Sequence, residues 1–445
     1  MRSMLLALGL LTYSTVPLAA VIIPATTAYD ANPKHLWNEL NSALFARVAP
    51  DGAVYGLDEL DILYWRETEH LLTEPSHSAA IQILDRFIQA HGERLIRDSF
   101  ERVLLQRDLW ELFDWAATPG QTIHAAQRAE LQDRLAILIR RLALSEAEIA
   151  ALPDNYATAA PNPDLPRGLF APDGEWITAR SDDAPLGFLA SRHTEGFNGH
   201  SVFLVMVRLP QGRAQTVAYL NSLRDFDGPL VYARRQTDGT RRLMINPDLP
   251  QVPAGTEWAL VRRLCVIDLD GHLRPTSIIE SIQLRRYDSI ERLRAPVGGP
   301  ASGGPAQQMF EFDMDKVHGG ALRALAPGEF DFQFVHFMSQ GGDPFELPFS
   351  NVERTPNPAT ARHATLATCY QCHASAGILS VLSFNRENVS TQTVQRLQAT
   401  TELPPEMPRS YTPPPNAQQE TESTVQWKYR QFDWGLLRGL WRRPE

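Results

Sequence analysis

The hydrophobic period changes near residue 155 of this 445-residue chain, and that change limits what it can fold into. Up to about residue 155, apolar residues recur at three and four: Ile81, Leu84, Phe87 and Ile88, then Ile96, Phe100, Val103 and Leu104, then a run over 131–144. Such spacing lines one face of a helix. Leu60, Leu63, Tyr64 and Leu71 suggest an earlier helix, with Asp58 near its start. Ser145 and Glu148 form a capping box for a short helix that ends at Pro153. Residues 155–174 carry Pro161, Pro163, Pro166 and Pro172 and mark a junction. After it the pattern is that of strands. Residues 202–207 (Val-Phe-Leu-Val-Met-Val) read as a buried strand, and 214–223 as a helix or a second strand. Segments 230–234 and 242–245 flank Thr237-Asp238-Gly239-Thr240, and 258–267 and 278–287 flank Asp268-Leu269-Asp270-Gly271, which are two hairpin signals. A mainly antiparallel sheet is expected here, as a sandwich or open barrel.

Composition bounds the function. A net charge of -10 leaves no basic surplus to neutralise phosphates, so a nucleic-acid partner is not expected. Trp110, Phe113 and Trp115 crowd one stretch and read as core before they read as a binding cleft. His70, His77, His91 and His124 have no metal-ligand spacing and read as surface or structural. The acidic turn at 268–271 lacks the terminal acid of an EF-hand loop, since Ile279 stands there, so it reads as a turn.

Arg2 followed by an apolar run over 4–13 and small residues at Ala19, Ala20, Ala25 and Ala28 reads as an export signal over residues 1–28. Cleavage after Ala20 or after Ala28 fits the pattern, with retention as an anchor as the alternative. A periplasmic or otherwise exported location follows, with no membrane span expected after the signal.

Three cysteines in an exported chain of this size do not make a disulfide scaffold. Cys265 lies in a strand-like segment and reads as a small buried hydrophobe. The other two lie in Thr368-Cys369-Tyr370-Gln371-Cys372-His373, and Cys-x-x-Cys-His is the attachment signal for a covalent haem c. Cys369 and Cys372 can reach the two vinyl groups along one porphyrin edge, and His373 then meets the iron from the same side. A redox disulfide would need a βαβ setting. A zinc site using Cys265 would need a second pair of ligands. Neither is seen.

Over these five residues the chain resembles the mono-haem c-type cytochromes. That resemblance implies a helix leading into the motif, at 359–372, a methionine downstream as distal ligand, and a closing helix, at 421–441. Met407, in Pro405-Glu406-Met407-Pro408, is the only methionine after the motif and the first choice for the distal ligand. His336 or Met338, on the phenylalanine-rich strand expected over 330–338, comes second. His363 is too close to His373 in sequence to reach the opposite haem face. Leu366, Ile378 and Leu382 are candidate wall residues. The expectation is therefore an α+β multidomain protein. Residues 33–155 form a helical domain and 165–290 a β-rich domain. A Gly/Pro linker covers 296–306, and 307–445 form a mainly helical haem c region. Its function would be one-electron transfer to a redox partner protein, after loading by the cytochrome c maturation machinery. The alternative is a haem enzyme, peroxidase-like or ligand-binding, with an open distal site.

Overall fold

The computed structural model describes residues 27–48, 54–55, 70–117, 123–179, 201–226, 230–232, 243–246, 248–288, 307–315, 319–325, 330–331, 364–365, 378–381 and 437. The helix expected around Leu60 and Tyr64, the tip at 237–240 and the closing helix over 421–441, apart from Leu437, lie outside them.

Five helices form in the first third: α1 (Leu36–Leu44), α2 (Ser76–Gln89), α3 (Ser99–Ala116), α4 (Ala125–Leu142) and α5 (Glu146–Ala150). Each buries the stripe its period predicts. On α2 these residues are Ala80, Ile83, Leu84 and Phe87, and on α4 Leu131, Leu135, Leu138, Ile139 and Leu142. α3 starts at Asp98, later than the apolar pattern alone suggests. Its Oδ1 accepts the N–H of Phe100 at 2.8 Å and of Glu101 at 3.1 Å, an N-cap that outweighs Ile96. Fifteen of its eighteen residues are buried, which makes α3 the central helix of the layer. The Trp37 indole of α1 donates to the Gly92 carbonyl at 2.7 Å. Gly92 is required there, because a Cβ would stand 2.7 Å from the Phe87 ring.

The capping box at α5 is formed: Ser145 Oγ accepts the Glu148 N–H, and the Glu148 carboxylate accepts the Ser145 N–H at 2.8 Å. Hydrogen bonds from the Ser145 hydroxyl and backbone hold the Glu148 carboxyl below its ordinary range. Stability from a lowered carboxyl pKa is present above the unfolded value, near 4.5, and is lost as pH falls through the folded value. Ser145→Ala is therefore expected to cost about 0.5–2 kcal/mol at pH 7. Paired urea unfolding of the two chains should show that gap narrowing at acid pH; a gap independent of pH would contradict it.

The β part is one six-stranded sheet with every neighbour antiparallel, in the order β10-β9-β8-β7-β4-β3. Its strands are β3 (Ile177–Thr178), β4 (Ser201–Arg208), β7 (Glu257–Ile267), β8 (Leu273–Tyr287), β9 (Gln307–Met314) and β10 (Leu322–Ala324). A sandwich or barrel was expected; among the described residues there is one six-stranded open sheet with helices against it, and the other sheets are two-stranded ladders. The segment open to either reading is a helix, α6 (Arg213–Arg224). The first hairpin forms a separate ladder, β5 (Leu230–Tyr232) with β6 (Leu243–Ile245), and β1 (Arg47–Val48) pairs β2 (Val54–Tyr55).

Register assigns the two faces. Val202, Leu204 and Met206 of β4, Ala259 and Val261 of β7, Ile282 and Leu284 of β8 and Phe312 of β9 share one hydrophobic core with α1 to α4. The helical segment and the β segment thus meet through a continuous core. Val207 of β4, Trp258 of β7 and Tyr287 of β8 lie on the opposite face, with Tyr219, Leu220 and Leu223 of α6. The proline-rich junction packs onto the sheet. Asn155 holds it at one end through Ile279 of β8, the Asp164 carboxylate, 3.4 Å from Arg286, holds it further along, and Tyr156 braces it internally through the Pro166 carbonyl. Cys265 is fully buried and in no disulfide, and Trp110, Phe113 and Trp115 are buried, so both core readings hold. Among the described residues, no helix is long and apolar enough to cross a membrane.

Candidate cofactor site

Cys369, Cys372, His373, Met407, His336, Met338, His363, Leu366 and Leu382 lie outside the described residues. Both flanks of the motif are described. On the N-terminal side β12 (Ala364–Thr365) pairs antiparallel with β11 (Phe330–Asp331), Phe330 opposite Thr365 and Asp331 opposite Ala364. This corrects the helix expected over 359–372: at 364–365 the backbone is extended and hydrogen-bonded to a neighbouring strand. A two-residue ladder with β-branched Thr365 at one end overrides a helical pattern that has no cap to start it. The ladder sets the head of the phenylalanine-rich segment beside the approach to the motif.

On the C-terminal side α7 (Ile378–Val381) begins five residues after His373. Ile378, one of the wall residues expected from sequence, is 1% exposed and belongs to the core under α6. Its N–H donates to Gln251 Oε1 at 3.2 Å, and Gln251 Nε2 donates to the Leu249 carbonyl at 3.3 Å.

The surface that receives Ile378 is apolar and firmly braced. Leu249 and Val252 flank Gln251, and Tyr219, Trp258 and Tyr287 complete the wall. Backbone hydrogen bonds from Gly255 to the Tyr287 carbonyl at 2.6 Å and from Tyr287 to the Thr256 carbonyl at 2.9 Å fasten this loop to β8. Tyr219 donates its hydroxyl to the Pro250 carbonyl at 3.0 Å, and burial pushes the phenol far up, so it stays neutral. Trp258 is 4% exposed, and its Nε1–H has no acceptor among the described residues. An unpaired buried donor costs about 1–3 kcal/mol, so its presence calls for an explanation. The sequence marks Trp258 only as the head of a strand, and nothing in it singles out Gln251 or Tyr219.

A second polar feature lies inside the fold. Arg107 of α3, fully buried, donates from Nη1 to Asp108 Oδ1 at 3.0 Å. Its Nη2 is 2.8 Å from Glu111 Oε1 and its Nε 2.8 Å from Glu280 Oε1, as ion pairs. Glu280 also takes the Ser201 hydroxyl bond and stands 3.7 Å from Arg262 Nε. Three carboxylates around one guanidinium, with a second arginine beside them, form a charge-compensated knot. It joins α3 to β4, β7 and β8.

Among the described residues, one group of three offers metal-type ligand atoms close together: Asp268, Asp270 and His272. Asp268 is already committed. Its Oδ1 accepts the N–H of Asp270 at 3.0 Å and of His272 at 2.8 Å, and its Oδ2 takes Arg274 Nε at 2.8 Å. These bonds build the β7–β8 turn, in line with the turn reading. His77 has a similar structural role, its Nδ1 2.9 Å from the Leu71 carbonyl and its Nε2 3.4 Å from Glu130.

What emerges is an α+β chain whose Cys-x-x-Cys-His motif is bracketed by a short ladder and a helix seated on the sheet. Comparison with protein-family models, with curated proteins and with solved structures gives no match for this chain.

Proposed function

We propose that this chain is an exported mono-haem c-type cytochrome that transfers single electrons to a redox partner protein. The observation that carries the reading is the intact Cys369-x-x-Cys372-His373 motif. The seating of Ile378, five residues on, against an apolar wall with an unmatched indole donor adds to it. Cys369 and Cys372 would hold the haem as thioethers, and His373 would be the proximal ligand. Bound there, the haem supplies a Fe(II)/Fe(III) couple. An apolar wall, for which Ile378 is a candidate, would keep water from the haem and lower the local dielectric, which tunes the potential. Met407 is proposed as the distal ligand, with His336 next. The export signal at 1–28 and loading by the maturation machinery belong to the same proposal.

The test is a pyridine haemochrome spectrum of the full chain matured with that machinery. One haem per chain is expected, with complete loss in Cys369→Ala/Cys372→Ala. No haemochrome in the parent chain would sink the reading. The ferric spectrum then decides the far side of the iron. Six-coordinate low-spin haem that turns high-spin in Met407→Ala supports the carrier. The same change in His336→Ala instead assigns that residue. High-spin haem in the parent chain indicates the open-site enzyme.

A further inference from the structure

The N-terminal stretch patterned like an export signal has one of its two candidate cleavage points inside the described residues, at Ala28. From Tyr29 onward the chain is bound into the helical layer. The Tyr29 N–H donates to Asn38 Oδ1 at 2.9 Å, and the same oxygen accepts the Asp30 N–H at 3.3 Å. Asn38 Nδ2 returns two bonds, to the Asp30 carbonyl at 2.6 Å and to the Asn32 carbonyl at 2.8 Å. Asn38 is fully buried on α1, and beside it Trp37 meets the Tyr29 ring edge-on, with centroids 5.2 Å apart. Thr27 and Ala28 make no hydrogen bond or core contact among the described residues.

The charge around this point is also suited to a new chain end. Burial pushes the Glu101 carboxyl above its ordinary range, and the nearby carboxylates of Asp98 and Asp30 add to the effect. Three acids thus gather beside the start of the clamped segment, where an added cation is favoured. In sequence, Ala28 puts a small residue directly before the cut. Thr26 stands three before the cut, where the Ala20 alternative has the bulkier Leu18.

We propose that residues 1–28 are removed by a leader-cleaving endopeptidase at the Ala28–Tyr29 bond, and that the Tyr29 ammonium so created is held by Asn38 Oδ1. This rests on the export part of the proposed function and fixes where processing falls. Water adds across the peptide bond. Its oxygen goes to the Ala28 carbonyl carbon, which leaves as a carboxylate, and its two hydrogens go to the Tyr29 nitrogen, which becomes the ammonium. The bond to Asn38 is in place before the cut and becomes charge-assisted after it. Cleavage after Ala20 would leave Val21, Ile22 and Ile23 as an apolar head on an exported chain. Cleavage after Ala28 removes them and takes no described contact from the fold.

The experiment expresses the full chain with the export and haem-maturation machinery and measures the intact mass and N-terminal sequence of the product. A chain beginning at Tyr29 is expected. An exported chain beginning at Val21 or at any other residue, Met1 included, overturns the cleavage point while the export reading stands. A chain that keeps Met1 and stays in the cytoplasm overturns both. Ala28→Leu should accumulate the unprocessed chain and Ala20→Leu should leave processing unchanged, each read by mass under denaturing conditions so that folding is not required. The reverse pattern overturns the assignment. Reductive methylation reads the seat of the ammonium. In the folded protein this amine should react about 2- to 10-fold more slowly than in the same chain unfolded in urea, with the exposed Lys34 as internal control. Equal rates would overturn the Asn38 seat and leave the cut in place.

Discussion

Arg107→Met should lower the stability of this protein by about 3–5 kcal/mol, the largest loss expected from any single side chain described. The guanidinium is fully buried and meets Asp108, Glu111 and Glu280 at 2.8–3.0 Å. Methionine matches much of its volume, so packing survives and the charge is what disappears. Three carboxylates then lose the cation they share in the interior, and Glu280 keeps Arg262 at 3.7 Å. Desolvated anions without a counter-ion must take up protons or drag in water, and either costs several kcal/mol. The urea midpoint at pH 7 is the measurement. Adding Glu111→Gln to Arg107→Met should recover part of the loss, because it removes one stranded charge. A midpoint for Arg107→Met within about 1 kcal/mol of the parent would contradict this account, as would a double variant weaker than the single.

Asn155→Ala is expected to cost about 2–4 kcal/mol, from three backbone groups left unpaired. β8 and β9 stop pairing at Ser281 and Asp313, so Ile279 lies past the end of that ladder. The Asn155 amide takes the place of the missing strand. Its Oδ1 accepts the Ile279 N–H at 2.8 Å, and its Nδ2 donates to the carbonyls of Ile279 and Gly320, each at 2.8 Å. Gly320 has no room for a side chain, since a Cβ there would overlap the Phe100 ring, so this corner cannot rearrange freely. Gln106 does the same for β7 beyond the end of β4. It accepts the Ile267 N–H at 3.0 Å and donates to its carbonyl at 2.8 Å. The control is Asn162→Ala, which removes only one part-buried local bond, from the Asp164 N–H, and should stay within about 1 kcal/mol of the parent. Equal midpoints for Asn155→Ala and Asn162→Ala would refute the surrogate-strand role. Slowed amide exchange at Ile279 in the parent, lost in Asn155→Ala, would support it directly.

Much of the fold was legible because it depends on local periods. The stripes of α2 and α4, the capping box at Ser145 and the strand runs at 202–207 and 258–267 all appear where their patterns put them. Where the reading stayed open or failed, a long-range contact decided. The stretch at 214–223 has an apolar pattern that fits either element, and it is a helix because it covers the second face of the sheet. The stretch at 364–365 is strand because β11 is there to pair with it. A sandwich was expected because strands buried on both faces read alike whether a second sheet or a layer of helices covers them.

The sequence by itself determined the chemistry on offer: two cysteines and a histidine at the spacing of the haem c attachment motif, an N-terminal stretch patterned like an export signal, and a change of period that makes the chain α+β. Those are local facts, set by residues a few positions apart. Only the tertiary structure decided what stands around them. It put Arg107 among three carboxylates drawn from two segments, set Asn155 and Gln106 as stand-ins for missing strands, and brought Ile378 to the wall that holds the unpaired indole of Trp258. Trp258 and Ile378 are 120 residues apart in sequence. No period or motif connects positions so distant; burial against a shared sheet face does, because the hydrophobic effect acts on surface and is indifferent to chain order.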